Sequence, residues 1–532
     1  MGVYLNPGND NFKMVCRSEI YVDKTELIHQ TNKMLNTQQR YICISRPRRF
    51  GKSMAAYMLA AYYGKDCDSS EMFAPYKIAK AEDYRKHLNQ YNVILLNIQD
   101  FLSVTGSVAE MISSLQKRVI RELKRKYPEV LEQDEDILSL ALEDLYSETG
   151  EGFIFIIDEW DCILRDKQYS ADDQKKYLDF LRNLLKDKVY VSLAYMTGIL
   201  PIKKYGTHSA LNMFAEYSMT EPFEYAEFIG FTESEVKNLC EKYHADYDMM
   251  KSWYDGYAFS GVGHIYNPKS VVDSILRKSF SSYWTQTETY EALKVYIDLN
   301  YDGLKDSIVK MLAGEQVIIN PERFQNDMTT FTSKDDVLTL LVHLGYLAFD
   351  REKSAVFIPN AEIRGEFHNA IMGEHWKDVI EALEQSDRIL RATWNEESET
   401  VADILDIVHS ENTSILTYND ENSLSCVISL AYYNAMKEYT KIRELPTGKG
   451  FADIVYIPKK HSDKPAMVVE LKYDKSAEGA ITQMKEKKYV ESLKEYHGNL
   501  LLVGINYDKE NKKHTCVIEK WNALDMKIKI PS

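Results

Sequence analysis

Tyr41-Ile42-Cys43-Ile44-Ser45-Arg46-Pro47-Arg48-Arg49-Phe50-Gly51-Lys52-Ser53 is an apolar run, a basic turn and a Gly-Lys-Ser triplet, with a helical pattern from Met54 onward. The apolar run reads as a buried strand. Strand, loop, Gly-Lys-Ser and helix in that order are the context of a phosphate-binding loop. Backbone amides and the helix N-terminus would hold a β-phosphate, Lys52 would reach the β/γ oxygens, and Ser53 would ligate Mg²⁺. ATP with Mg²⁺ is therefore the expected ligand. One position departs from the usual spacing, because counting back five residues from Gly51 gives Arg46 where a first glycine belongs. Either the loop turns differently there, or Arg46 accepts strain for an additional phosphate contact. Arg48 and Arg49 are candidate charge stabilisers beside it.

Working outward, apolar runs at 93–98, 153–157 and 190–196 alternate with helical patterns. That alternation predicts a mainly parallel sheet flanked by helices. The second run ends in Asp158-Glu159, which puts two acids at the carboxyl end of a buried strand, where such sheets bind ligands. Asp158 is expected to orient the Mg²⁺ hydration shell and Glu159 to polarise the attacking water. Thr197, ending the third run, is a candidate sensor of the γ-phosphate.

Four blocks follow from the patterning: 1–226 as the nucleotide-binding core, 227–280 as a mostly helical lid, 281–396 as a helical linker, and 397–532 as a separate α/β core. Thr232-Glu233-Ser234-Glu235 is a capping box that starts a helix in the second block. In the third, helix-like Lys334–Leu344 precedes two short strand candidates at 346–349 and 355–358, the order of a winged helix.

The fourth block carries a different chemistry. Asp453 lies in one apolar run, and Glu470-Leu471-Lys472 ends the next. Residues i and i+2 of a strand share a face, so Glu470 and Lys472 point the same way. If the strands pair, Asp453 joins Glu470 around one divalent cation, with the Lys472 ammonium beside the reacting water. Two hard carboxylate oxygens suit Mg²⁺. Glu421 starts an upstream helix-like run and could add a third acid. A helix-like segment at 478–493 carries Gln483, Lys485, Lys487 and Lys488 and leads to another strand at 499–505, giving an αβββαβ-type order once one more strand is allowed.

Composition sets limits. A chain of 532 residues exceeds one core, so roughly two to four domains are expected. No run of about 18 apolar residues occurs, so no membrane span is expected. The seven cysteines are scattered without a Cys-x-x-Cys pair, which points to a reducing cytoplasm. Net charge is −16, yet from Met436 onward 19 Lys and Arg face 14 Asp and Glu, an excess of five that leaves −21 on the other 435 residues. A basic tail on an acidic body fits local contact with phosphates, as does an ordinary lysine-rich surface.

Together these segments resemble a prokaryotic family that joins an AAA-ATPase-like domain to a PD-(D/E)XK nuclease-like domain. The matching residues are Tyr21-Val22-Asp23-Lys24-Thr25, the loop Ser45 to Ser53, Ile157-Asp158-Glu159, Trp253-Tyr254-Asp255-Gly256-Tyr257 and Tyr266-Asn267-Pro268. Toward the far end they are Phe451-Ala452-Asp453, Glu470-Leu471-Lys472 and Gln483. The resemblance implies that Arg46 is a feature of the group. It implies an α/β multidomain protein with a P-loop sheet, a helical lid, a winged-helix-like middle and a restriction-endonuclease-like C-terminal core. It also implies ATP hydrolysis, a Mg²⁺-dependent nuclease with Asp453, Glu470, Lys472 and Gln483 in its site, and action on foreign or mobile nucleic acid, DNA ahead of RNA. Self-association is left open. So is a protein that switches on ATP and binds nucleic acid or a protein partner without cutting.

Overall fold

The computed structural model describes residues 2–131, 135–166, 168–202, 211–259, 261–284, 290–299, 301–325, 328, 331–372, 376–412, 421–447, 450–459, 462–487, 493 and 499–521. The chain forms two compact units, Met1–Thr289 with Ile318–Gly365, and Tyr290–Val317 with Glu366–Ser532. The 281–396 block is thus divided between them.

The first unit is built on five parallel strands, β1 (Tyr41–Ser45), β2 (Asn92–Asn97), β3 (Phe153–Asp158), β4 (Val191–Gly198) and β5 (Ala215–Tyr217), in the order β2-β3-β4-β1-β5. Every residue of β1, β3 and β4 is buried. Strands covered on both faces read as continuous apolar runs, which is why these three stand out in the sequence. Register aligns Thr197 with Ile44 on one side and with Asp158 on the other, so the carboxyl ends of β1, β4 and β3 lie side by side. The core beneath them includes Leu96, Leu115, Phe155, Leu181 and Met196.

Beyond β5, the Glu233–Tyr243 helix starts at the expected capping box, with Thr232 and Glu235 exchanging bonds. The 227–280 block also holds a three-stranded antiparallel sheet of Phe231–Thr232, Gly263–Tyr266 and Tyr257–Phe259. The mostly helical expectation missed that sheet because its strands are only two to four residues long. Lys334–Leu344 is a helix, and Ala348–Asp350 pairs antiparallel with Ala355–Phe357, which gives the expected helix-plus-hairpin order.

The second unit has a mixed five-stranded sheet: Tyr439–Thr447, Gly450–Pro458, Ala466–Tyr473, Leu500–Asp508 and Lys513–Trp521, in chain order. Only the third and fourth strands run parallel, and the Ala477–Glu486 helix makes their crossover. The last strand gives up edge amides to a helix, Ser398–Asn412: His514 N donates to Asp406 at 2.7 Å and Ile518 N to Ser398 at 3.1 Å. Among the described residues no helix is long and apolar enough to cross a membrane.

Candidate functional site

The loop between β1 and the Lys52–Tyr63 helix alternates its backbone hand, with Arg49 at φ 66° and Gly51 at φ 96°. Such alternation turns successive N–H groups inward and makes a concavity suited to an anion. Lys52 is buried and donates to Pro47 O at 3.0 Å, across the loop. Burial pulls its ammonium below the ordinary lysine range, against the charges of Glu159 and Asp158. Ser53 donates to Asp158 Oδ2 at 2.5 Å. Burial pushes the Asp158 carboxyl up to about 6, with the Ser53 bond opposing and the Glu159 charge adding. Beside it, the Thr197 hydroxyl is buried without a hydrogen-bond partner. A hydroxyl, a carboxylate and an unpartnered hydroxyl around a phosphate loop are hard oxygen donors, and they fit Mg²⁺ with a nucleotide.

Arg46 fits the first of the two alternatives, a loop that turns differently there. It is not among the residues with positive φ, so its position does not demand glycine. Its side chain is fully buried, and Nη1 donates to the carbonyls of Ser45, Tyr217 and Ser218 at 2.8, 2.9 and 3.0 Å while the guanidinium lies over the Phe259 ring. Burial lowers its pKa to about 9. Arg46 thus ties the loop to β5 and to the small sheet beyond it. Other residues grip the same loop. Trp284 Nε1 donates to Arg48 O at 3.1 Å, and the Phe50 ring meets Tyr257 edge-on. Gly345 lies so close to Pro47 that a Cβ would stand 2.8 Å from it. Tyr257 Oη in turn donates to Gly345 O at 2.5 Å.

Glu159 sits in the left-handed region at φ 51°, and its carboxylate is ion-paired with Arg165. Arg165 Nε also faces Asp161 at 3.0 Å. Asp161, fully buried, accepts from the amides of Ile199 and Leu200 at 3.0 and 2.7 Å and so ties the end of β3 to the turn after β4. Neither Asp161 nor Arg165 was foreseen. The only signal was the further acid that follows Asp158-Glu159 in the sequence.

In the second unit, Gly450–Pro458 and Ala466–Tyr473 pair with Ile454 opposite Val469, which carries Asp453 toward Glu470. Asp453 Oδ2 accepts from Leu471 N at 2.7 Å. Glu470 is buried, and its Oε1 receives Lys472 Nζ at 3.0 Å and the Gln483 amide. Its Oε2 is buried without a partner. Burial, and then the Asp453 charge, push the Glu470 carboxyl up to about 7. A bare carboxylate oxygen beside a second carboxylate fits one divalent cation. Glu421 begins the Glu421–Ala431 helix, but its side chain lies outside the described residues, as does Lys488. Lys485 pairs with Glu519 at 2.5 Å.

Gln483 reaches Glu470 because of a residue that sequence reasoning passed over. A Cβ at Gly504 would stand 2.4 Å from Ala477 O and 3.1 Å from Ala480, so the bare glycine lets the Ala477–Glu486 helix lie on the sheet. An isolated glycine in an apolar strand was the available signal.

Residues 7–207 match the family model described as "Predicted AAA-ATPase", and residues 419–521 match that of the PD-(D/E)XK nuclease superfamily. The chain therefore carries the fusion that its motifs resemble, an AAA-ATPase-like region followed by one of the PD-(D/E)XK nuclease superfamily. A protein of Azotobacter chroococcum mcd 1, called an uncharacterized protein in vnfD 5'region, is 23% identical over 394 residues, 69% of each chain. The Aeropyrum pernix ORC2 protein in its ADPNP-ADP complexes is 13% identical, with a TM-score of 0.30 over 66% of this chain and 96% of that one. Its ADP form gives 13% and 0.28 over 68% and 97%. At those scores the likeness adds nothing to the fold read from the strands.

Proposed function

We propose that the chain binds and hydrolyses ATP at the phosphate loop and cleaves nucleic acid at the Asp453–Glu470–Lys472 site, with nucleotide state governing cleavage. DNA of foreign or mobile origin is the favoured substrate, ahead of RNA. The observation that carries this reading is the Glu470 carboxylate, fixed on one oxygen by Lys472 and Gln483 and bare on the other. Asp453 and Glu470 would hold Mg²⁺, which when bound supplies charge stabilisation and a nucleophilic water for phosphodiester hydrolysis. Lys472 would stabilise charge developing on the phosphate, while Gln483 keeps the Glu470 carboxylate in place. At the loop, Lys52 leaves the Pro47 carbonyl to neutralise the β/γ oxygens, and Ser53 and Asp158 hold the cation that accompanies ATP. Glu159 accepts a proton once it is released from Arg165, Thr197 meets the γ-phosphate, and Arg48 and Arg49 add positive charge.

A second reading, an ATP-dependent switch that binds nucleic acid or a partner without cutting, has one observation in its favour. Lys472 Nζ is held by Glu470 Oε1 at 3.0 Å, an ion pair that a purely structural version of the site would also make. Incubating the full-length protein with linear, circular and single-stranded DNA and with RNA, with and without ATP and Mg²⁺, separates the two. Mg²⁺-dependent cleavage that is lost in Glu470→Ala supports the nuclease. Nucleotide-dependent binding without any cleavage leaves the switch in its place.

A further inference from the structure

The helix Val108–Lys126 has two opposed faces. Met111, Leu115, Val119 and Leu123, four residues apart, are buried in the first unit's core. Lys117, Arg121 and Arg125 keep the same spacing on the opposite side and are exposed, with Arg118 beside them. Four helical residues rise roughly 6 Å, so these cations form a ladder along the helix. None of the four side chains makes a hydrogen bond or ion pair with another described residue. The neighbouring acids are mostly committed. Glu122 turns to the other side and accepts from the amides of Val3, Tyr4 and Leu5 at 2.8 to 2.9 Å. Asp66 pairs with Lys126, and the Glu135 carboxylate accepts from Ile137 N at 2.5 Å. Along the ladder runs an open cleft of about 360 Å³, with Glu135 and Asp136 at its far wall.

We propose that this ladder docks the phosphodiester backbone of nucleic acid, which gives the nucleotide-binding unit a contact surface of its own. This rests on the reading that nucleic acid is the substrate. In a chain of net charge −16, acids already provide solubility, and an unpaired basic row raises the local potential for a polyanion. Three of the four cations are arginines, whose planar fork matches phosphate oxygens. A line of such groups reads no bases, so binding is sequence-independent and strongly salt-dependent. An anionic membrane is the poorer occupant. A surface helix must embed an apolar face in lipid, and here that face is already buried in the core.

The test uses the full-length protein and a fluorescently labelled duplex, with affinity measured over a salt series for wild type and for the Lys117→Gln/Arg121→Gln/Arg125→Gln variant. The expected result is at least tenfold weaker binding at low salt and a salt slope shallower by about three. ATP hydrolysis without nucleic acid should be unchanged, since none of these residues lies in that site. Should the triple variant misfold, Arg121→Gln and Arg125→Gln alone are each expected to flatten the slope by about one. Unchanged affinity and slope overturn the inference while leaving the nuclease reading to its own Glu470→Ala test. Loss of binding to phosphatidylserine vesicles with duplex binding intact overturns it in favour of a membrane. Wild-type protein that binds neither duplex nor single strand overturns this inference and the nuclease reading together.

Discussion

The two sites hold their key acids in opposite ways. At the end of β3, Asp158 and Glu159 are each engaged, one by the Ser53 hydroxyl and the other by Arg165, within a network that reaches Asp161 and the backbone after β4. In the C-terminal sheet, Glu470 concentrates two donors on one oxygen and leaves the other bare. On the proposed function the first site must change partners to work, whereas the second has one coordination position already built. A nucleotide site that must release contacts suits a switch, and a preorganised carboxylate suits a cation that comes and goes with little rearrangement.

That contrast breaks first at the level of whole activities. Glu470→Ala and Asp453→Ala should each lower cleavage by roughly 10²–10³-fold while leaving ATP hydrolysis intact, and Lys52→Ala should do the same to hydrolysis. Lys472→Ala should abolish cleavage yet keep metal affinity, as measured by calorimetry, because an ammonium is no ligand. Cleavage surviving loss of either carboxylate would remove the second site from the comparison altogether.

The rearranging site is probed next. Glu159→Gln should retain ATP binding and slow hydrolysis by roughly 10²–10⁴-fold, the range of a lost general base. Arg165→Ala frees the Glu159 carboxylate and removes a partner of Asp161, so binding should persist while single-turnover rates change. Rates equal to wild type in Arg165→Ala would mean that the ion pair is structural only.

Acidity sharpens the preorganised site. The folded-state pKa of Glu470 is raised to about 7, above its unfolded value, so the native form holds a proton that the unfolded chain releases. Without metal, this group's contribution to stability should fall as pH rises from about 4.3 through about 7, by at most about 4 kcal/mol. Mg²⁺ affinity should rise over the same window as the competing proton leaves. Melting curves with and without Mg²⁺ between pH 5 and 8, set beside Glu470→Gln, measure both, and a Glu470→Gln profile with the wild-type slope would assign the effect to another group.

The smallest effect falls on Gly504. A methyl group there must move Ala477 O or the helix that carries it, at about 1–3 kcal/mol of stability. Gly504→Ala should therefore lower cleavage about tenfold by drawing Gln483 from Glu470, with ATP hydrolysis unchanged. Full cleavage in that variant would show that the glutamine contact is dispensable.

How far the sequence could be read follows the same division. Strands buried on both faces were legible as apolar runs, and the Gly-Lys-Ser turn, Asp158 and the Glu-x-Lys pair lay in or at the ends of such runs. β5 was not legible, because its three residues carry no period and are only partly buried. Tyr439–Thr447 opens the C-terminal sheet and was the extra strand left unplaced, since Lys441, Arg443, Glu444 and Pro446 interrupt any apolar run in its sequence. The Glu159–Arg165–Asp161 network and the seat of Pro47 on Gly345 are contacts through space, and periodicity carries no information about them. The role of Arg46 is the clearest instance. Spacing made it a departure from a pattern, and only its burial against Tyr217 and Ser218 makes it an anchor.

The seat of Pro47 against Gly345 also has a consequence for how the chain is made. The loop emerges from the ribosome early, while the glycine that closes on it comes roughly 300 residues later, or about 15–60 s at ordinary rates of synthesis. Throughout that interval the nascent nucleotide pocket has an unfinished wall. Tyr290–Val317, which belongs to the other unit, emerges within the same gap, before any strand of its own sheet has been made. A chaperone or an early-bound nucleotide would act in that window, so slow codons placed between the two segments should lower the yield of native protein more than the same codons placed after Gly365.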